Sequence, residues 1–194
     1  MSRNRATILA ASLALLEEKG LEGLSFREVA RRAGVSHQAP YHVFGTKAAI
    51  LAAVAQEGFQ RLEEVVDHLP PVTGIQGIRQ LGHAYIAFAF DHPAHYAVMH
   101  RPDLTQPEQN PDLLAAQGRL QSRLERAIHE LRDHGHGLDQ DPTELVHLLS
   151  SLLHGVVTAL PAGASDRALN PNSHRAAATG AMDAFADLLV RAYS

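Results

Sequence analysis

The sequence predicts an all-α fold, and three observations predict it. Apolar residues recur at three- and four-residue spacing along almost the whole chain, strictly alternating runs are short and rare, and the apolar stretches are bounded by helix start and stop residues. The 194 residues are 45% hydrophobic and 20% charged, with no cysteine and a net charge of -4. That composition supplies core for one or two compact domains and excludes disordered, fibrous and disulfide-stapled classes. No window approaches the roughly 18 to 20 uninterrupted apolar residues of a membrane span, and the N-terminus lacks a signal peptide's apolar stretch. A cytoplasmic location with no membrane partner is therefore expected.

The first helix is expected over about Arg3 to Lys19, with Leu9, Leu13 and Leu16 on one face and Gly20 as its stop. Ser25-Phe26-Arg27-Glu28 matches a capping box and opens a second helix whose face is Phe26, Val29, Ala30 and Ala33, ended by Gly34. Ser36 can cap a third, equally short helix through Phe44. Thr46 can cap a fourth through Ile50, Leu51, Val54 and Phe59 to about Asp67, before Pro70-Pro71. Further helices are expected near Gly74 to Asp91, Pro93 to His100, Pro111 to His134, Pro142 to Leu160 and Asn172 to Tyr193. The later starts are marked by Asn110-Pro111, the acidic box Asp141-Pro142-Thr143-Glu144, and Asn170-Pro171. The segments Pro102 to Asn110, Gly135 to Gln140 and Ala162 to Asn170 are expected as loops.

The second and third helices, each about two turns, are too short to be stable alone and must pack on the first. Gly34 supplies the sharp turn, Val35 and Phe44 point back to a shared core, and His37, Gln38 and His42 leave the other face polar. This is the layout of a helix-turn-helix, whose second helix enters the DNA major groove, although an ordinary helical hairpin has the same spacing. Charge favours the former. Residues 1–52 hold seven Lys/Arg and four Glu, a net +3, while the remainder holds ten basic and seventeen acidic residues, a net -7. A basic module on an acidic body suits nucleic acid, because phosphate contacts supply most of the affinity at short range.

The run Leu24-Ser25-Phe26-Arg27-Glu28-Val29-Ala30-Arg31-Arg32-Ala33-Gly34-Val35-Ser36, with Tyr41-His42-Val43-Phe44-Gly45-Thr46-Lys47 and Ile50-Leu51, resembles the N-terminal signature of TetR-family transcriptional repressors. The resemblance covers about residues 5 to 60. Asp91-His92-Pro93-Ala94-His95-Tyr96 and Leu153-His154-Gly155 are similar to the His-Pro segment and Trp-His-Gly motif of one C-terminal subgroup, with Leu153 where that subgroup has Trp. The resemblance implies a helix-turn-helix DNA-binding domain at residues 1–50 and a helical effector-binding and dimerisation domain at residues 51–194. It further implies that Arg27, His37, Gln38, Ala39 and Tyr41 face the major groove, Gln38 suiting adenine, Arg27 guanine and Ala39 a thymine methyl. Tyr41, Thr46 and Lys47 would hold phosphates. Ser36, at the start of the reading helix, and His42, beside the Val43 that replaces a phosphate-contacting His or Tyr, complete the expected DNA-facing set. Pro40 removes one amide donor, in the opening turn only.

Specific helix-turn-helix proteins present two modules on successive half-sites, so a homodimer on double-stranded operator DNA is expected. Ala177, Ala181, Ala184 and Leu188, beside Gly180, form a small-residue stripe, and the helix from Pro142 is apolar over more than half its circumference, which suggests burial on two sides. A monomer core is the alternative use of both helices. His147, Ser150, Ser151, His154 and Thr158 form a stripe without charge, expected to be partly buried at a dimer seam or a ligand cavity, or else self-bonded to helix carbonyls. Tyr85, Phe88, Tyr96 and Met99 are core candidates that the resemblance raises to lining of an effector pocket, joined by His147 and His154. An apolar or aromatic small molecule is the implied effector.

Thirteen histidines raise a metal-responsive alternative, with His92, His95, His100, His134 and His136 near Asp139 and Asp141 as candidates, but no His pair has HExxH spacing and no Cys is present. No metal site or cofactor is expected. The absence of a phosphate-cradling Gly-rich loop and of a nucleophile elbow argues against an enzyme.

Overall fold

The computed structural model describes residues 3–133, 141–159 and 171–192, and among them every regular element is helical. In chain order these are α1 (Arg3–Lys19), α2 (Phe26–Ala33), α3 (Ala39–Phe44), α4 (Lys47–Asp67), α5 (Gly74–Asp91), α6 (Pro93–Met99), α7 (Pro102–Thr105), a 3-10 turn (Pro107–Gln109), α8 (Pro111–Asp133), α9 (Pro142–Ala159) and α10 (Pro171–Ala192). The chain divides into two compact units, one of Met1–Arg61 with His92–Gln117 and the other of Leu62–Asp91 with Gly118–Ser194. The expected domain boundary between residues 50 and 51 falls inside α4.

In the first unit, α1 buries Ile8 and Leu15 completely and Leu9 and Leu16 nearly so, whereas Leu13 is only half-buried. The buried face is thus turned by about one position from the one expected. Its centre is Ser12, fully buried, whose hydroxyl donates to the Ile8 carbonyl at 2.8 Å. A polar residue in mid-stripe broke the apolar pattern, and its own backbone bond is what lets it stay there. Against α1 pack α2, through buried Phe26, Val29 and Ala30, and α3. The first half of α4 adds Ile50, Leu51, Val54 and Phe59, and α6 contacts α1. At Gly58 a Cβ would lie 2.5 Å from the Met99 sulfur, so glycine there lets Met99 of α6 reach the α4 backbone.

The expected loop from Pro102 to Asn110 is instead folded. It holds α7 and the 3-10 turn, and Asn110 Nδ2 donates to the carbonyls of Thr105 and Gln106 at 3.0 and 2.8 Å. That side chain stabilises Gln106 in the left-handed region, φ 47°.

In the second unit α5 and α10 pack along their lengths. Ala178, Met182 and Ala186 of α10 are buried, and Met182 fills the space that a Cβ at Gly82 would take. Arg79 bridges Asp183 (2.8 Å) and Asp187 (2.7 Å), His83 donates to Asp183 (2.9 Å), and Arg175 pairs with Asp91 (2.7 Å). Val146, Leu149, Leu153 and Val157 form the inner face of α9, whose start is capped by Asp141 accepting from the Thr143 amide at 2.8 Å.

Candidate nucleic-acid interface

The α2–turn–α3 unit is built by local capping. Ser25 Oγ accepts from the Glu28 amide at 3.3 Å and opens α2. Gly34, at φ 65°, closes it, with the Val35 amide donating to the Ala30 carbonyl at 3.1 Å. The third helix does not start at Ser36. Ser36 accepts from the Ala39 amide through its carbonyl, at 3.0 Å, and α3 begins at Ala39 with Pro40 in its first turn. The physical reason is Pro40: it lacks an amide and its ring fits the opening turn, so a helix that begins at Ala39 loses nothing by it, whereas one begun at Ser36 would meet it in the interior. α3 is consequently shorter than α2, and His37 and Gln38 lie in the turn that leads into it.

Arg27, Ser36, His37, Gln38 and His42 are all exposed, and Ala39 is half-buried. Tyr41 is 59% exposed although its ring packs edge-on against Phe26, 4.2 Å between centroids at 72°. Thr46 accepts from the Ala49 amide at 3.1 Å and so caps α4, and exposed Lys47 donates from Nζ to the Leu21 carbonyl at 3.0 Å. Lys47 is thereby held at the start of α4 with two ammonium protons left for other acceptors.

The charges of this module are unevenly available. Arg31 donates twice to Glu28 (3.0 and 2.6 Å), Lys19 reaches the same carboxylate at 3.5 Å, and Arg32 donates to Glu18 at 2.6 Å. The Arg31 hydrogen bonds, more than any other cause, lower the Glu28 carboxyl to about 2, so it stays ionised at any working pH. Among the described residues no acidic side chain pairs with Arg27 or Lys47. Of the expected DNA-facing residues, all but the half-buried Ala39 are exposed.

The expected effector contacts are spread over both units. Tyr96 and Met99 are buried in the first unit, Tyr96 with its ring 4.7 Å from that of His100. In the second, Phe88 is buried, Tyr85 and His154 are half-buried, and His147 is exposed. The first unit has an open cleft of about 100 Å³ that includes Arg5, Gln56 and Asp112, and the second has one of about 190 Å³ that includes Leu69, Leu81, Arg123 and Arg126. None of the six expected residues lines either cleft. Within one chain the uncharged stripe of α9 is not buried, since His147, Ser150, Ser151 and Thr158 are exposed, while the Thr158 hydroxyl donates to the His154 carbonyl at 2.7 Å as the self-bonded alternative expects. Among the described residues no three His, Asp or Glu side chains come together to hold a metal ion. His134, His136 and Asp139 lie outside the described residues.

Residues 8–54 match the family model of bacterial regulatory proteins, tetR family, and residues 78–193 match that of the tetracyclin repressor-like C-terminal domain. The chain belongs to the TetR family. It is a DNA-binding transcriptional regulator whose helix-turn-helix is the α2–turn–α3 unit. No curated protein matches it. Among solved structures it is similar to a protein with unknown function from Rhodococcus sp. RHA1, at 27% identity over 100% of this chain and 96% of that one, TM-score 0.78. A bacterial regulatory protein in the tetR family from Rhodococcus RHA1 is 20% identical over 100% and 98%, TM-score 0.71. AibR, solved in complex with isovaleryl coenzyme A and operator DNA, is 19% identical over 92% and 97%, TM-score 0.67.

Two features of this TetR-family regulator escaped the sequence. The pairing of Arg31 and Arg32 with Glu28 and Glu18 is partly tertiary, and only the Glu28–Arg31 spacing along α2 could have signalled it. Arg5 lies over the ring of Phe44, 4.8 Å from its centroid. Nothing in the local sequence pairs residues so far apart. No helix among the described residues is long and apolar enough to cross a membrane.

Proposed function

We propose that this regulator is a homodimeric repressor that binds a near-palindromic operator and is released by a small apolar or aromatic effector. The observation that carries the reading is the outward face of the second unit. Leu188 is 62% exposed and Leu148 58%, and Ala177, Gly180 and Ala184 are exposed along the same helix as Leu188. The inner stripe of α10 already fills the contact with α5, so this second face of small and apolar residues, with Arg191 beside it, is open to a partner of its own, and a second copy gives the two reading heads that a palindrome requires. Exposure of His147, Ser150 and Ser151 favours the seam over an internal cavity for that stripe.

In this reading residues 1–50 read DNA. Arg27, His37, Gln38, Ala39 and Tyr41 meet base edges, Tyr41, Thr46 and Lys47 hold phosphates, and Ser36 and His42 flank them. Residues 51–194 bind the effector, with Tyr85, Phe88 and His154 of the second unit as contacts, and form the dimer; the likeness of Asp91 to Tyr96 and of Leu153 to Gly155 to the His-Pro and Trp-His-Gly segments supports that subgroup for this part. AibR, of similar fold, is solved with both isovaleryl coenzyme A and operator DNA, which supports a small-molecule site and a DNA site in this chain. Effector and operator must bind antagonistically, each weakening the other by the same factor. The effector acts by stabilising a conformer whose two heads are wrongly spaced for successive major grooves. The chain carries out no catalysis, and its action takes place in the cytoplasm.

The test is selection of bound sites from random duplex DNA with the purified full chain. A near-palindromic site bound by two chains is the expected outcome. Binding that is indifferent to salt, or no preference for any palindrome over random duplex, refutes the reading.

A further inference from the structure

α3 cannot hold its own orientation. It has six residues and its N-cap makes no side-chain hydrogen bond. A helix of that length is unstable by itself, so its neighbours must fix where its side chains aim. Two aromatic contacts are placed to do so. The Tyr41 ring meets Phe26 of α2 edge-on at 4.2 Å, and the Phe44 ring lies under the Arg5 guanidinium of α1, 4.8 Å from its centroid. Tyr41 and Phe44 are three residues apart, so they share one side of the helix about one turn from each other. One contact holds a point on the helix, and two hold its roll about its own axis.

We propose that Arg5 is a positioning residue for base recognition, which fixes the roll of α3 by seating on the face of Phe44. The proposal rests on the reading that α3 enters the major groove. Side-chain tips stand about 5 to 6 Å from a helix axis, so a roll of about 10° moves a tip by about 1 Å. That displacement takes a base-edge hydrogen bond out of its favourable range, whereas a phosphate contact by a flexible lysine tolerates it. A cation above a ring face is directional in a way that apolar packing is not, and this suits it to setting an angle. Loss of Arg5 should therefore reduce discrimination between sequences more than it reduces binding to DNA in general.

The experiment compares wild type, Arg5→Met, Arg5→Lys, Phe44→Leu and the Arg5→Met/Phe44→Leu double variant as full chains. The operator is the site selected from random duplex by wild type. For each protein the ratio of random-duplex Kd to operator Kd and the salt slope are measured, with circular dichroism and thermal midpoint as checks on folding. Arg5→Met and Phe44→Leu are each expected to lower the ratio by about tenfold, the double variant by no more than either, and Arg5→Lys to keep most of it, all with the salt slope unchanged. Equal weakening on operator and random duplex, with the slope reduced by about one unit, would make Arg5 a phosphate contact and overturn the proposal. An unchanged ratio for Arg5→Met, or additive single effects, overturns it as well. If Phe44→Leu fails to fold, the contrast between Arg5→Met and Arg5→Lys decides. A wild type that selects no site refutes the major-groove reading and this proposal with it, whereas one that selects a site while Arg5→Met keeps its ratio refutes this proposal alone.

Discussion

Lys47 and Arg31 belong to the same basic module, and the structure separates what each can give to DNA. Lys47 is exposed, fixed at the start of α4 by its bond to the Leu21 carbonyl, and has no acidic partner among the described residues. Arg31 is exposed too, but its Nε and Nη2 both donate to Glu28, which stays ionised with a carboxyl lowered to about 2. Each phosphate contact contributes about -0.9 to the slope of log K against log salt, so Lys47→Ala should lessen the slope by about one unit per reading head and about two per dimer. Between about 50 and 200 mM salt, a slope smaller by about two units leaves the variant losing about tenfold less affinity than wild type. The affinity loss should be the same on operator and random duplex, because a phosphate contact carries no sequence information. Arg31→Ala should leave the slope nearly unchanged, since the charge that it removes is already matched by Glu28. Fluorescence anisotropy titrations across that salt range measure both. Equal slope changes in the two variants, or a Lys47→Ala effect confined to one sequence, would refute the reasoning.

Gln38→Ala should alter base preference at one operator position by about 1 to 3 kcal/mol with no change in salt slope, read by repeating the site selection; an unaltered selected site counts against Gln38 as a base contact. Leu188→Lys should convert dimer to monomer in sedimentation velocity without loss of helical signal, because Leu188 is 62% exposed within the chain; a persisting dimer removes α10 from the seam. Gly58→Ala should lower the urea midpoint, since the new Cβ meets Met99 Sδ at 2.5 Å and His95 Cβ at 3.1 Å, and overpacking costs of about 1 to 3 kcal/mol exceed the roughly 1 kcal/mol gained by removing glycine from a helix. A stabilised variant contradicts this. His95 is 3% exposed, and burial lowers its pKa below 6.5 despite Glu57 at 3.8 Å and Glu17, with Arg61 and His92 adding to the lowering. The unfolded chain therefore takes up a proton that the folded chain refuses, and stability falls as pH drops below 6.5. His95→Leu should flatten that part of the urea-midpoint profile against pH, and an identical profile would show that His95 is not the group responsible.

The parts of the fold that sequence reveals are those decided within a few residues. Ser25 and Thr46 make the caps that their spacing promised, at 3.3 and 3.1 Å, and Gly34 makes the left-handed turn. The misreadings arise where one local signal competes with another. Ser36 has a capping side chain, yet Pro40 four residues later sets the start of α3, because an absent amide constrains the backbone more than an available hydroxyl does. Ser12 interrupts the α1 stripe in sequence and lies at its centre in space, since a hydroxyl bonded to the preceding turn is tolerated in a core. The candidate DNA-facing residues, Arg27 and those from Ser36 to Lys47, lie within one short stretch that resembles a family signature, so the sequence could single them out. The expected effector residues have no such local signature, because Tyr85, Tyr96 and His154 stand on three different helices and no periodicity joins them.

Charge shows the same limit from another side. The +3 of residues 1–52 is a correct sum that says nothing about which cations are free, and the pairing of Arg32 with Glu18, fourteen residues apart, exists only once α1 and α2 are packed. The α9 stripe takes the argument one level higher. A helix face without Lys, Glu or Arg implies burial, yet His147, Ser150, Ser151 and Thr158 are exposed in the single chain, as are Leu148 on the same helix and Leu188 on α10. An uncharged face left open beside exposed leucines is a property that the chain alone does not use. The residue pattern therefore bears on the assembly, and the oligomeric state of Leu188→Lys, with Leu148→Lys beside it, tests whether the same surface is what the pattern was written for.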